Sequence, residues 1–271
     1  MASVKSRQMK YFLMSAFIVV FASQALAVKR GQILFVRDYP QIIQMKGWSS
    51  EGCSGIVLRP HLIITAGHCI ELMGHGIKKL TLSKGTAGTE TEVDIVSLDK
   101  NPLYVLGFAK HPVLSEIPHD VAYLMTKQDL YKNLGITENL EIAVPERSQL
   151  SQNLQTVNAV AIGLGETGQG NMTGRSQASL KRSVEMVVRY NFDSHVLMST
   201  AVKDGTGLCR GDSGGALIVN HAVMGILSAV ALQGDCQKDG GFAYHALLED
   251  SVCWLEKATG QSLSPSGFCE H

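Results

Sequence analysis

The chain has 271 residues, of which 45% are hydrophobic, enough to form a substantial core. Its 24 basic and 24 acidic side chains balance, so no excess charge points to a nucleic-acid or membrane-surface partner. The 27 glycines and the low aromatic fraction of 6% are typical of a β protein with many turns.

The N-terminal stretch predicts a targeting segment. Three basic side chains at residues 5–10 precede an apolar run at residues 12–21, and residues 25–27 read Ala-Leu-Ala, which suits a signal peptidase. The alternative is a membrane anchor, but the apolar run is too short for one. We therefore expect residues 1–27 to be a removed signal peptide. The remaining chain, 28–271, would be secreted, with no stable insertion in a membrane.

Short apolar runs broken by turn residues follow the targeting segment. Val, Ile and Leu at close spacing predict β-strands. The predicted strands are Ile33–Val36, Gln41–Met45, Gly55–Leu58, Leu62–Thr65, Thr81–Leu82, Glu92–Leu98, Val121–Met125, Thr156–Ile162, Ser183–Arg189, Ala216–Val219 and Val223–Leu232. This many short strands favours an antiparallel barrel or sandwich. Near the end of the chain, Leu247 to Gly260 predicts one amphipathic helix, with Leu248, Val252 and Leu255 on one face.

Three motifs carry residue types suited to nucleophilic catalysis. In chain order they are Thr65-Ala66-Gly67-His68-Cys69, His119-Asp120-Val121-Ala122-Tyr123-Leu124 and Cys209-Arg210-Gly211-Asp212-Ser213-Gly214-Gly215. A serine hydroxyl needs a base within hydrogen-bond reach and a third group to orient that base. Imidazole titrates near neutrality and can serve as the base. In the third motif a glycine permits a turn that aims two neighbouring N–H groups at one oxyanion.

These three blocks, in this order, resemble those of the chymotrypsin-like serine proteases, which have the trypsin fold. The resemblance implies an all-β fold of two antiparallel six-stranded β-barrels, with the active site in the cleft between them and a C-terminal α-helix. The first barrel would span about 28–140 and the second about 150–246, with the helix and tail at 247–271. Protein or peptide substrates and protein inhibitors would be the partners, with no cofactor, no metal and no nucleic acid.

The resemblance also assigns roles in the reaction. His68 would be the general base, Asp120 would orient it, and Ser213 would be the nucleophile of a serine endopeptidase that forms an acyl-enzyme. The N–H groups of Gly211 and Ser213 would form the oxyanion hole. Two other acids near the second motif, Asp94 and Asp99, are rivals for the aspartate. The second motif is preferred because an acid that leads an apolar run is poised to be buried, and a buried carboxylate needs a partner.

The six cysteines predict disulfides, since their number is even and the route is secretory. Spacing alone leaves fifteen pairings open. The resemblance implies Cys53–Cys69 beside the histidine and Cys209–Cys236 beside the serine loop. Cys253 and Cys269 then remain and would tie the tail to the last helix. The sequence has no Cys-x-x-Cys pair and no His-Glu-x-x-His, so a zinc site is disfavoured.

The residues that match the family's specificity pocket depart from the trypsin pattern. Gly207 stands where trypsin-type enzymes carry an aspartate, and without a buried carboxylate a basic substrate side chain would be unpaired. Val230 should narrow the pocket, and Gly241 should keep the opposite wall open. Ser228 matches a family serine that supports the catalytic aspartate. These residues predict small or medium apolar side chains on the acyl side of the cut bond.

In the family, an apolar N-terminus released by proteolysis pairs its ammonium with the aspartate before the serine, which here is Asp212. The usual Ile-Val-Gly-Gly start is absent. Val28 would be freed by signal peptidase, Gly31 by cleavage after a dibasic pair, and Ile33 by an unusual cut after glutamine. We favour Val28, which would need no separate activation step.

Two other classes of protein fit part of the sequence. Gly-Asp-Ser-Gly-Gly also satisfies the Gly-x-Ser-x-Gly elbow of α/β-hydrolases, which place the histidine after the serine and need a helix after the elbow. That interpretation would use His221, His245 or His271 and would leave the first motif unexplained. The second alternative is a catalytically weak or inactive binding or regulatory module on the trypsin fold. It is disfavoured because all three residues of the triad are present.

Overall fold

The computed structural model describes residues 28–46, 52–74, 76–85, 90–104, 117–144, 157–165, 180–191, 194–233, 236–266 and 268–269. The predicted signal peptide, 1–27, and much of the expected join between the barrels lie outside these residues. In the described part of the chain, no helix is long and apolar enough to cross a membrane.

Short strands dominate the described residues. They are β1 (Gln32–Ile33), β2 (Ile42–Lys46), β3 (Cys53–Arg59), β4 (Leu62–Thr65), β5 (Lys79–Ser83), β6 (Glu90–Lys100), β7 (Ala122–Thr126), β8 (Glu141–Ile142), β9 (Val157–Gly163), β10 (Arg182–Asn191), β11 (Val196–Ala201), β12 (Ala216–Val219), β13 (Ala222–Val230), β14 (Leu232–Gln233), β15 (Cys236–Gln237) and β16 (Ala243–Leu247). The helices are α1 (Gly67–Met73), α2 (Leu130–Leu134) and α3 (Glu249–Thr259), with a 3₁₀ turn at Ile117–His119.

Twelve of the strands form two closed six-stranded antiparallel barrels. The first pairs in the order β2-β3-β4-β7-β6-β5 and closes from β5 back to β2. The second pairs in the order β10-β11-β16-β13-β12-β9 and closes from β9 back to β10. Their interiors are filled by aliphatic side chains, because Val, Ile and Leu fit a pleated, buried surface. The expected all-β architecture is therefore confirmed.

The N-terminal segment belongs with the second barrel. Strand β1 pairs with β10, so Gln32 and Ile33 lie opposite Ser183 and Arg182. Just before β1, the Val28 side chain is completely buried among aliphatic residues of the second barrel. The first described residues therefore reach across to the barrel that carries the serine motif.

The C-terminal helix α3 packs on the protein as the sequence predicts. Leu248, Val252 and Leu255 are fully buried, and the helix ends at Gly260, which adopts a left-handed conformation with φ of 68°. It begins slightly later than predicted, at Glu249, because Leu247 is still part of β16.

Three disulfides join Cys53 to Cys69, Cys209 to Cys236, and Cys253 to Cys269. These are the pairs named from the sequence. The first two flank the histidine and serine motifs, and the third ties α3 to the tail.

Removing the tail disulfide should weaken the fold without changing the chemistry. The Cys253→Ser/Cys269→Ser variant loses a cross-link between residues 16 apart, and we expect its free energy of unfolding to fall by about 3 kcal/mol. Urea denaturation with the other disulfides intact measures this, and any hydrolytic activity should stay unchanged. An unaltered unfolding curve would show that the bridge does not stabilise the fold.

Candidate active site

The histidine and aspartate motifs lie at neighbouring strand ends of the first barrel. His68 is in the first turn of α1, directly after β4, and Asp120 precedes β7. Since β4 and β7 are paired, with Thr65 opposite Ala122, the two side chains meet at the same edge of the barrel.

Asp120 holds His68 through two hydrogen bonds. The His68 backbone N–H donates to Asp120 Oδ1 at 2.8 Å, and His68 Nδ1–H donates to Oδ2 at 2.7 Å. The carboxylate is only 2% exposed. The rival acids bond elsewhere, because Asp94 accepts from Gln128 Nε2 and Asp99 accepts from the Lys100 N–H. This arrangement fixes the imidazole ring and leaves Nε2 to face away from the carboxylate.

A serine of the second barrel also donates a hydrogen bond to the Asp120 carboxylate. Ser228 Oγ donates to Asp120 Oδ2 at 2.5 Å. Strand β13 shifts its register against β16 between Leu227 and Ala229, so Ser228 is the extra residue of a β-bulge. Bulges near active sites commonly redirect a side chain, and this one turns a hydroxyl of the second barrel towards the first.

The pKa values of the pair are shifted in opposite directions. Burial alone would lower the pKa of His68, but the charge and hydrogen bond of Asp120 outweigh it and raise that pKa above 6.5. Burial alone would raise the pKa of Asp120, but His68 and the Ser228 hydroxyl hold it below its ordinary value. The aspartate thus stabilises the imidazolium that would form during proton transfer.

The serine motif forms a turn in which some backbone N–H groups donate hydrogen bonds within the protein and others do not. The N–H groups of Asp212, Gly214 and Gly215 donate to backbone carbonyls. Within the described residues, those of Gly211 and Ser213 donate to no protein acceptor. Gly211 adopts φ of 84°, which an L side chain would rarely tolerate. Two free donors therefore flank the serine, as an oxyanion hole requires.

Ser54, which the sequence analysis missed, ties this turn to the first barrel. Its N–H donates to the Ser213 carbonyl at 2.8 Å, and its Oγ donates to the Gly211 carbonyl at 3.0 Å. His68 Nε2 lies 3.7 Å from Cys69 Sγ, and that sulfur is 3.8 Å from the Ser213 carbonyl. Among the described residues, the hydrogen bonds do not include one between Ser213 Oγ and His68 Nε2.

Asp212 is buried between the serine turn and the N-terminal segment. Its carboxylate accepts hydrogen bonds from the N–H groups of Cys209 and Gly165, each at 2.7 Å, and from that of Val28. Burial outweighs these donors and raises the pKa of Asp212 to about 6. Of the three candidate N-termini, Val28 thus adjoins the carboxylate, while the Ile33 side chain is 52% exposed and the Gly31 carbonyl accepts from Arg182.

Two basic side chains beside the N-terminal segment are buried, which the sequence did not predict. Arg182 is completely buried, its charge offsets a small part of the rise in the pKa of Asp212, and its Nη1 donates to the Gly31 carbonyl at 3.1 Å. Lys181 is also buried and donates to the Tyr39 carbonyl at 2.7 Å, and burial lowers its pKa to about 7. A Lys-Arg pair at the start of a strand gives no sign of burial in the sequence.

Two of the residues named for the specificity pocket contact one unexpected side chain. Gly207 and Gly241 both contact Gln237, which is buried. Val230 lies opposite Ala243 in the pairing of β13 with β16, and Ser228 lies two residues before it. The structure therefore brings Gly207 and Gly241 together through Gln237, next to the Cys209–Cys236 bridge.

The α/β-hydrolase alternative does not fit the surroundings of Ser213. The serine leads into strand β12 rather than into a helix. His245 is buried and lies 2.8 Å from Ser199 Oγ, and burial lowers its pKa to about 3. His221 occupies the turn between β12 and β13, and His271 lies outside the described residues.

One cluster of potential metal ligands occurs in the described part of the chain, comprising Cys53, His68 and Cys69. Its two sulfurs are bonded to each other in a disulfide, so they cannot act as thiolate ligands. The expectation that the site uses no metal stays a prediction.

Comparison with known proteins agrees with this geometry. The family model described as Trypsin matches residues 36–250. A chymotrypsin of Phaedon cochleariae is 22% identical, over 75% of this chain and 73% of its own. The clotting factor G beta subunit of Tachypleus tridentatus is 21% identical, over 78% of this chain and 72% of its own.

Solved structures share the fold at low identity. Neuropsin, a serine protease of mouse brain, has a TM-score of 0.62 at 15% identity, covering 84% of this chain and 98% of its own. Human heparin binding protein also has a TM-score of 0.62 at 15% identity, covering 88% of this chain and 99% of its own. Because the family model spans most of the sequence, this chain belongs to the trypsin family of serine proteases.

Proposed function

We propose that this protein is a secreted serine endopeptidase that cuts peptide bonds through His68, Asp120 and Ser213. The observation that carries the proposal is the hydrogen-bonded line from Ser228 through Asp120 to His68, with a serine turn beside it whose two free N–H groups flank Ser213.

The chemistry follows from the positions of these groups. His68 Nε2 accepts the proton of Ser213 Oγ as the oxygen attacks the substrate carbonyl. Asp120 stabilises the resulting imidazolium, and the N–H groups of Gly211 and Ser213 bind the oxyanion of the tetrahedral intermediate. The imidazolium then gives its proton to the leaving amine, and water hydrolyses the acyl-enzyme by the reverse sequence.

The specificity should be apolar rather than basic. Gly207 supplies no carboxylate for a Lys or Arg side chain, and burying an unpaired cation is costly. Val230 is a partly buried aliphatic residue packed against the core of the second barrel. An apolar substrate side chain is therefore the better fit.

The mature N-terminus should be Val28. Its side chain is buried and its N–H already reaches the Asp212 carboxylate, so cleavage before Val28 would put an ammonium on a buried acid. Signal peptidase would make that cut, which fits an exported protein with three disulfides. N-terminal sequencing of the active secreted protein checks this, and any other start removes the assignment.

A peptide library tests the activity and its specificity together. We expect cleavage after small or medium apolar residues, at rates at least tenfold above those after Arg or Lys. The Ser213→Ala variant is the control for a contaminating protease. A strong preference for Arg or Lys would contradict the specificity. No cleavage by correctly processed protein would favour the binding module.

A further inference from the structure

We propose that Gln237 closes the base of the specificity pocket and limits the substrate residue on the acyl side of the cut bond to side chains no larger than valine. This inference rests on the proposed protease activity. The expected apolar pocket would thus be a shallow one, with the Gln237 side chain at its base.

The first observation is the space in front of Gly207, the residue at the predicted pocket base. A Cβ placed on Gly207 would lie 2.9 Å from Gln237 Cβ and 3.1 Å from its Oε1. Real Cβ atoms essentially never approach other heavy atoms below 3.0 Å. The direction that a side chain at the base would take is thus already filled by Gln237.

The second observation is that the glutamine is held at both ends of its amide. Oε1 accepts from the Leu208 N–H at 3.1 Å, and Nε2 donates to the Gly241 carbonyl at 2.8 Å. The Gln237 backbone N–H donates to the Leu208 carbonyl at 2.6 Å. The side chain is only 2% exposed, so it is a fixed plug rather than a mobile residue that a substrate could push aside.

The third observation concerns the wall that Gly241 is expected to leave open. A Cβ on Gly241 would lie 2.9 Å from the Lys238 carbonyl and 3.3 Å from Ala231 Cβ. The Gly241 carbonyl is the acceptor that anchors Gln237. The Gln237 amide therefore links the predicted base of the pocket at Gly207 to its predicted wall at Gly241. The residue before Gln237, Cys236, is bridged to Cys209.

These contacts also define the chemical character of the floor. The amide oxygen and one N–H of the amide nitrogen are already bonded to the main chain, which leaves little hydrogen-bonding capacity for the substrate. A charged or long polar substrate side chain would be desolvated without compensation. A short apolar side chain would fill the remaining space, and a larger one would clash with Gln237.

The test compares kcat/KM for matched peptides with Ala, Val, Leu or Phe before the cut bond. The wild-type enzyme should favour Ala and Val over Leu and Phe by at least tenfold, since one methylene in an apolar pocket changes the ratio by about 10–200-fold. Gln237→Ala should raise the Leu-to-Ala ratio at least tenfold. Gln237→Met fills a similar volume without the amide and should keep the wild-type ranking. Lys238→Ala, at the exposed neighbouring position, is the matched control and should also keep it.

The outcomes separate this inference from the activity on which it rests. Active enzyme, counted by fluorophosphonate labelling of Ser213, with rapid cleavage after Leu or Phe in the wild type would overturn the role of Gln237 and leave the protease proposal intact. An unchanged ranking in labelled Gln237→Ala would do the same. Absence of both labelling and cleavage in the wild type would overturn both proposals. If Gln237→Ala does not fold, the wild-type ranking and Gln237→Asn, which shortens the plug by one methylene, still decide the matter.

Discussion

Replacing Asp120 with Asn should lower kcat by about 10⁴-fold while the fold survives. The amide keeps the shape of the carboxylate but cannot stabilise the imidazolium, and it can turn its NH₂ towards His68 Nδ1 and so favour the wrong tautomer. The His68 backbone N–H would keep its acceptor at the Oδ1 position, and the Ser228 hydroxyl, which faces the other position, can accept a hydrogen bond from the NH₂ group. Steady-state kinetics on an apolar peptide, with the unfolding curve measured in parallel, give the comparison.

Ser228→Ala is the graded control for that experiment. It removes one of the hydrogen bonds to Asp120 but leaves the charge and both bonds to His68, so we expect a loss of about tenfold. His68→Ala and Ser213→Ala should each lower kcat by about 10⁶-fold, and the double variant should be no worse, because the residues act as a unit. Additive losses would mean that His68 and Ser213 do not act as a unit, and an Asp120→Asn variant with near-normal kcat would mean that Asp120 does not orient the base.

The second large effect is a pH-dependent difference in stability between two forms of the chain. One begins at Val28, and the other carries extra residues before it, both in a Ser213→Ala background that prevents self-cleavage. In the extended form the Val28 nitrogen is an uncharged amide, and the pKa of Asp212 is raised from 3.8 to about 6. Because this folded-state pKa lies above the unfolded one, the contribution of Asp212 to the stability of the extended form is largest at low pH. This contribution of about 3 kcal/mol should be lost as the pH rises from below 3.8 to above about 6.

The form that begins at Val28 should escape this loss, because its ammonium lowers the pKa of Asp212. At pH 7.5 it should therefore be about 3 kcal/mol more stable to urea than the extended form, and the difference should shrink towards pH 4. Asp212→Asn removes the titrating group and should flatten the pH dependence of the extended form. Equal stability of the two forms at pH 7.5 would mean that Val28 is not the partner of Asp212.

Many strands of the barrels could be predicted because each has a recognisable local sequence pattern. Leu62–Thr65 and Ala216–Val219 are strands with the predicted bounds, since each is a short apolar run bounded by turn residues. The strand at Val196–Ala201 was not predicted, because its apolar run is brief and ends in polar residues. The strand at Ala243–Leu247 was also missed, since a buried histidine interrupts its pattern.

The motifs predicted which residues would meet, but not the residues that hold them. His68 and Asp120 come together because their strands pair, and the resemblance to the chymotrypsin-like proteases implied that they would meet. Ser54, Gln237 and Arg182 have no such local signal. Each is a polar residue whose burial depends on contacts with segments far along the chain, and polar residues are mostly exposed by default.

The most direct test of the central claim is mass spectrometry of the Val28 form after reaction with an organofluorophosphonate. If His68, Asp120 and Ser213 form one working unit, a single phosphonyl adduct will be found on Ser213, and the reaction will be lost in His68→Ala. An unmodified Ser213 in correctly processed protein, or labelling that does not depend on His68, would contradict the claim.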